Sequence, residues 1–399
     1  MSIYNITDYG AVPDGSLCTK AIQRAIDLCD SGGTVLIPEG TFVSGALFLK
    51  SNMTLHLQKG ARLMASGDIA DFPLMGYPFE GRDSICYASL INTDGAPHKN
   101  ITIDGEGVIN ANGTALYSAE LSENKGKRGR AICIRNTENL TLRGITVRQS
   151  PAWCLHLIYC TNVTIDGIQI HTKYDENGNR CKLHNGDGID LDSCQGVCVS
   201  NCLISSQDDC IAIKSGRDEE GRRVGIPSCD ILIEHCKFTS GFGIAIGSEM
   251  SGGVENVAVK NCVFENTYSI ASIKAVRGRG GYVRNISYEN CTHFNHSTEH
   301  RDCEWFRGAI YMDGFYGQVE FDAGKAAPIN EGTPEVDGIT LKNITLETTA
   351  GNAIYICGLP EKHYKNVHLE NIRAHGKCGM IKANLDGAEF INVDVTSDE

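Results

Sequence analysis

A phrase recurs along the chain: one turn-forming residue, then positions that alternate apolar and polar. It reads Asn52-Met-Thr-Leu, Asn100-Ile-Thr-Ile, Asn139-Leu-Thr-Leu, Asn162-Val-Thr-Ile, Asp230-Ile-Leu-Ile, Asn256-Val-Ala-Val, Asn285-Ile-Ser-Tyr and Asn366-Val-His-Leu, with Gly196-Val-Cys-Val and Gly338-Ile-Thr-Leu as looser copies. Period-two alternation after a turn residue predicts a short strand with one buried face. Many phrases are followed by a second, such as Gly144-Ile-Thr-Val or Gly167-Ile-Gln-Ile, and neighbours are mostly 23 to 39 residues apart. Strands repeating at that interval, without a helix in each repeat, predict an all-β solenoid, a parallel β-helix forming a single domain over residues 1–399. Successive coils of such a fold stack at about 4.8 Å, so equivalent positions form ladders.

One segment follows a different period. Leu17, Ala21, Ile22, Ala25, Ile26 and Cys29 recur at helical spacing, and Gly32-Gly33 follows. This predicts an N-terminal amphipathic helix over 17–30 that caps the open end of the first coil.

Composition adds limits. The 399 residues are 41% hydrophobic and 21% charged, ordinary values for a chain with a sizeable core. A net charge of −13 argues against nucleic acid as a partner, because phosphate binding needs a basic footprint. Local cation clusters remain: Lys125, Lys127, Arg128 and Arg130; Arg217, Arg222 and Arg223; Arg277 and Arg279. Each reads equally as solvated surface or as a place to hold an acidic sugar. No stretch approaches the roughly 20 apolar residues of a membrane span. The first residues, MSIYNITDYG, do not have the pattern of a signal peptide. A cytoplasmic location is therefore expected, with the 18 cysteines reduced. Asn-Cys at 201–202, 261–262 and 290–291, with His235-Cys236, suggests a ladder of packed thiols. Cys194, Cys198 and Cys202 lack the paired CxxC spacing of a zinc site, so no metal or other cofactor is expected.

The candidate chemistry lies at Asn185-Gly-Asp-Gly-Ile-Asp190 and Asp208-Asp209-Cys-Ile-Ala-Ile-Lys214. Asp187 and Asp208 are 21 residues apart, about one short coil, so rung spacing would leave the carboxylates roughly 5–10 Å apart. That range covers the acid and base pairs of glycosidases. Clustering also raises one carboxyl's affinity for its proton. Successive strand residues point to opposite faces, however, so Asp208 and Asp209 can share a site only at a bend or bulge. Spacing alone leaves surface turns open as the alternative.

Longer stretches carry a resemblance. Asp8-Tyr-Gly-Ala-Val-Pro-Asp-Gly15, Gly32-Gly-Thr-Val-Leu-Ile-Pro-Glu-Gly40, Ser150-Pro-Ala-Trp153, Asn185-Gly-Asp187, Asp208-Asp209 and Ile246-Gly-Ser248 resemble glycoside hydrolase family 28, the polygalacturonase family, over nearly the whole chain. The stretches 214–227, 247–253 and 277–285 resemble its bacterial exo-acting branch. The resemblance implies a right-handed parallel β-helix and inverting hydrolysis of α-1,4-linked galacturonate in pectic oligosaccharides. Asp208 would be the general acid, and Asp187 and Asp209 would activate water. Asn185 would shape the site. Lys274, with Lys214 and Arg279, would meet substrate carboxylates, and Tyr316 would line the cleft.

Two positions depart from the family pattern. Ser240-Gly-Phe-Gly-Ile has Phe242 where the family has the histidine of Gly-His-Gly, and Ser272-Ile-Lys274 lacks the arginine of Arg-x-Lys. Serine cannot replace a guanidinium's two-pronged grip on a carboxylate. Either the sugar beside the scissile bond differs, as in rhamnogalacturonan or a neutral-sugar glycoside with Phe242 against it, or Lys274 with Arg277 or Arg279 supplies the charge. The competing classes are a calcium-dependent lyase, which would leave an unsaturated product, and a non-catalytic carbohydrate-binding solenoid.

Overall fold

The structure is a computed structural model that describes residues 2–181, 183–297, 306–318 and 320–399. It is a parallel β-helix, as the repeat predicts, of the right-handed kind that the family resemblance implies. The chain divides into two compact units. One comprises Met1–Phe79, Asp83–Asp190 and Cys194–Asp208; the other comprises Glu80–Arg82, Leu191–Ser193 and Asp209–Glu399.

In the first unit each coil contributes a strand to each of three parallel ladders. The first runs through Gly33–Ile37, Met53–Leu57, His98–Gly105, Thr137–Arg143, Thr161–Asp166 and Gln195–Ser200. Val35, Leu55, Ile103, Leu142, Ile165 and Val199 stack in register along it, all fully buried. Each such side chain stabilises the fold by about 1.5–3 kcal/mol through burial. Thr54, Thr102, Thr141 and Thr164 face the other way on the same rungs.

The turn residue before each strand has a definite task. Asn52, Asn100, Asn139 and Asn162 all have φ between 54° and 61°. Asn tolerates this left-handed conformation better than other side-chain-bearing residues. Their amides join rung to rung: Asn100 donates to Asn52 at 2.7 Å, Asn139 to Asn100 at 3.0 Å and Asn162 to Asn139 at 3.3 Å. Gly196 holds the corresponding place at φ 65°, where conformation alone matters.

The amphipathic segment forms a helix over Thr19–Leu28, with Ile22, Ala25 and Ile26 buried. Gln23 fixes it to the neighbouring strand Leu47–Phe48, donating to the Phe48 carbonyl and accepting from its amide.

The second unit continues the same grammar. The strand Ser228–Glu234 is followed by Val254–Lys260, Tyr282–Asn295, Glu335–Cys357, Tyr364–Ala383 and Glu389–Ser397. A further ladder runs through Ile211–Lys214, Ile244–Gly247, Ala271–Lys274 and Gly308–Asp313. Cys236, Cys262 and Cys291 occupy equivalent corners, each thiol donating to the carbonyl two residues earlier. No disulfide is present among the described residues.

Candidate active site

In the first unit two segments are tied together by one carbonyl. Gly186 O accepts from the Thr172 hydroxyl at 2.6 Å, from the Gln207 amide at 3.0 Å and from the Asp208 amide at 3.4 Å. Gln207 returns the tie, its Oε1 accepting from the Leu183 amide at 3.3 Å. Glycine at 186 permits this close approach, since a Cβ there would come within 2.9 Å of the Gln207 Cβ. Asn185 turns the chain at φ 54° so that Asp187 can follow. Ser206 Oγ donates to the Asp208 carbonyl at 2.7 Å and holds a bend, with the regular strand beginning only at Ile211.

That bend resolves the geometric objection to two adjacent aspartates sharing a site. Asp187, Asp208 and Asp209 each offer a carboxylate oxygen, and these lie within 4.8 Å of one another. Asp208 and Asp209 can both reach the cluster because they precede the regular strand. Asp187 and Asp209 are each 3% exposed, and Asp208 is half-buried. Among the described residues, this is the group of carboxylates close enough to share a cation.

The second unit surrounds Asp209 with paired charges. Lys274 Nζ donates to Asp209 Oδ2 at 2.7 Å, with both side chains buried, and lies 5.2 Å from the Tyr316 ring centroid. Lys214 Nζ sits 3.8 Å from Glu249 Oε2. Burial alone would push the Glu249 carboxyl up. Lys214, Arg279, the Ser248 hydroxyl at 3.0 Å and Lys274 together hold it below the usual carboxylate range. Arg279 donates to the Ser248 carbonyl at 2.8 Å and pairs with Asp218, which also takes a bond from Arg82 at 2.9 Å. Burial raises Asp218, and the two guanidinium bonds overcome that and lower it.

The residues that depart from the family pattern are buried. Phe242 is 5% exposed and packs at a tilt against Tyr268, ring centroids 4.8 Å apart, in a cluster with Phe306 and Ala350. Ser272 is 1% exposed, and its hydroxyl shares a 2.8 Å bond with that of Ser269. Arg277 makes a two-pronged bond to Glu361 at 2.6 and 2.8 Å. Of the cations expected to meet substrate, Lys214, Lys274 and Arg279 therefore each have a protein carboxylate partner.

Two residues were not singled out by sequence. Glu249 lay inside the stretch Gly247-Ser-Glu-Met, where only its burial would have marked it. Arg128 belonged to a charge cluster, and its guanidinium bonds the Asn185 side chain at 2.5 Å.

Comparison with known proteins adds a family. The model of glycosyl hydrolases family 28 matches residues 82–389. A probable polygalacturonase of Vitis vinifera is 31% identical over 98% of the chain and 78% of that protein. An exo-poly-alpha-D-galacturonosidase of Dickeya chrysanthemi is 25% identical over 98% of the chain and 70% of that protein. The solved structure of a hyperthermoactive exopolygalacturonase from Thermotoga maritima superposes with a TM-score of 0.83, at 25% identity, over 98% of the chain and 91% of that structure.

Proposed function

The chain belongs to glycosyl hydrolases family 28, and from that premise we propose that it removes galacturonate from the ends of pectic oligosaccharides with Asp187, Asp208 and Asp209 as the reacting carboxylates. It is a glycoside hydrolase of the pectic class. The observation that carries the residue assignment is the convergence of the three carboxylates within 4.8 Å, one of them ion-paired to a buried lysine.

The roles are those the family resemblance implies. Asp208 is the half-buried member, and in this reading it delivers a proton to the glycosidic oxygen of the incoming chain. Asp209, with the Lys274 ammonium at 2.7 Å, is held as a carboxylate and orients water together with Asp187. The leaving oxygen takes the Asp208 proton as the C1–O bond breaks. Water adds to C1 and loses its proton to the carboxylate pair. Tyr316, whose ring the Lys274 ammonium approaches to 5.2 Å, lines the cleft in this reading. Exo action is favoured by the similarity to the exo-acting enzymes of Dickeya chrysanthemi and Thermotoga maritima.

Inversion is the stereochemistry expected from the family. Retention through a covalent intermediate is the alternative outcome for a pair of carboxyl groups. Proton NMR of the first anomer released separates them: β-galacturonate from an α-linked substrate means inversion, and the α-anomer means retention. Run on oligogalacturonate and rhamnogalacturonan fragments side by side, the same assay tests the sugar. Faster cleavage of rhamnogalacturonan, or internal cuts in long galacturonan, would overturn the exo-galacturonan reading.

A further inference from the structure

We infer that Arg128 is a positioning residue for the reaction, a guanidinium clamp that fixes the Asn185 turn and thereby the aim of Asp187. The inference rests on Asp187 being one of the reacting carboxylates.

The Arg128 fork reaches out of its own loop to two other segments. Its Nη1 donates to the Pro151 carbonyl at 3.0 Å and to the His184 carbonyl at 2.5 Å, and its Nη2 donates to Asn185 Oδ1 at 2.5 Å. The guanidinium lies over the rings of Phe79 and Tyr117, at 5.7 and 5.2 Å. Two groups of donors and two aromatic faces thus define its plane, which a lysine ammonium on a flexible stem cannot reproduce.

The loop that carries Arg128 does not need this contact to hold its shape. Arg130 is 1% exposed and lies among the rings of Tyr77, Phe79 and Trp153 at 4.8 to 5.1 Å, donating to the Pro78 carbonyl at 2.7 Å. Glu120, 2% exposed, accepts from the Gly129 amide at 3.0 Å. With those two anchors on the residues that follow it, Arg128 is held in place while its bonds reach residues 151, 184 and 185.

Residues 184 and 185 are where such a clamp has leverage. Asn185 stands in the left-handed region at φ 54°, two residues before Asp187. The Gly186 carbonyl between them is the acceptor that ties this turn to Gln207 and Asp208. Loss of the clamp releases the turn on one side while the Gly186 tie remains on the other. A carboxylate displaced by about 1 Å can cost on the order of 100-fold in rate.

The test uses the full-length protein and oligogalacturonate hydrolysis. Arg128→Ala and Arg128→Lys are each expected to lower kcat about 10- to 100-fold with little change in KM. Asn185→Ala should show a loss of similar size, and the double variant R128A/N185A should lose no more than the worse single. Added guanidinium should recover part of the R128A rate. A folded R128A with kcat close to wild type, an R128K that retains full kcat, losses that multiply in the double variant, or an effect confined to KM would each overturn the clamp. If R128A does not fold, R128K and N185A carry the same readouts. Asp208→Asn separates this from failure of the underlying reading: if D208N retains turnover, the carboxylate assignment is wrong whatever Arg128 does.

Discussion

Lys214→Met offers a quantitative probe of the charge network beside the reacting carboxylates. Lys214 and Glu249 lie 3.8 Å apart with side chains only 6% and 9% exposed. At an effective dielectric of about 20, their attraction is about 4 kcal/mol. Methionine keeps the stem and removes the charge, leaving Glu249 buried with its largest source of stabilisation gone. Arg279, Lys274 and the Ser248 hydroxyl still oppose the burial cost. The loss is therefore placed at the lower end for a broken buried pair, about 3 kcal/mol. In the wild type the Glu249 proton affinity is lowered in the folded state, so its contribution is present above the unfolded carboxylate value near 4.5 and fades as pH falls through the lower folded value. In the variant burial prevails, Glu249 takes up a proton at higher pH, and the difference in stability from wild type shrinks as the medium becomes acidic. Thermal or denaturant unfolding of wild type, K214M, E249Q and K214M/E249Q from pH 4 to 7 measures this. E249Q should restore much of what K214M loses. A K214M deficit that does not vary with pH, or strictly additive single effects, would refute the reasoning.

Other consequences are accessible to simpler measurements. Asp208→Asn should lower kcat by about 10²- to 10⁴-fold, the usual reach of a general acid, while calorimetry still detects oligogalacturonate binding. Burial raises Glu120 to about 7, against the Gly129 amide and the Arg128 and Arg130 charges. A raised carboxyl stabilises the fold below about 4.5 and loses that contribution as pH climbs through 7. Glu120→Gln, which can still accept from Gly129, should therefore flatten the pH–stability curve between those limits and gain on wild type above pH 7. Asn139→Ala forces alanine to φ 58° and removes two rung-to-rung amide bonds. It should cost about 2 kcal/mol, and Asn139→Gly, which restores only the backbone freedom, about half of that in chemical denaturation.

The repeat was legible because a coil forces every rung to use the same corner residue. Asn100-Ile-Thr-Ile, Asn139-Leu-Thr-Leu and Asn162-Val-Thr-Ile align in sequence and stack in register in space. The aspartates were legible only through motif resemblance, since alternation by itself set Asp208 and Asp209 on opposite faces. What reconciles them is the bend closed by the Ser206 hydroxyl and the Gly186 carbonyl, a local bond pattern that has no periodic signature. Charge pairs were hidden for a different reason. Lys214 finds Glu249 after 35 residues, Arg128 finds Asn185 after 57 and Arg277 finds Glu361 after 84. Partners that distant are brought together by coil stacking and by loops whose lengths the repeat does not specify. Phe242 and Ser272 show the converse: substitutions conspicuous in a motif are buried among protein neighbours.

The asparagine corners have a consequence for how this fold can change. In the second unit one amide ladder runs from Asn261 through Asn290, Asn343 and Asn371 to Asn392. Successive members are 29, 53, 28 and 21 residues apart, yet each bond is between 3.0 and 3.3 Å. The ladder counts rungs and is indifferent to how much chain lies between them. Such a corner acts as a splice point: a loop can lengthen, shrink or be exchanged within one coil while the rungs above and below keep their pairing. New substrate-facing segments could be acquired by insertion, with no renegotiation of the interior.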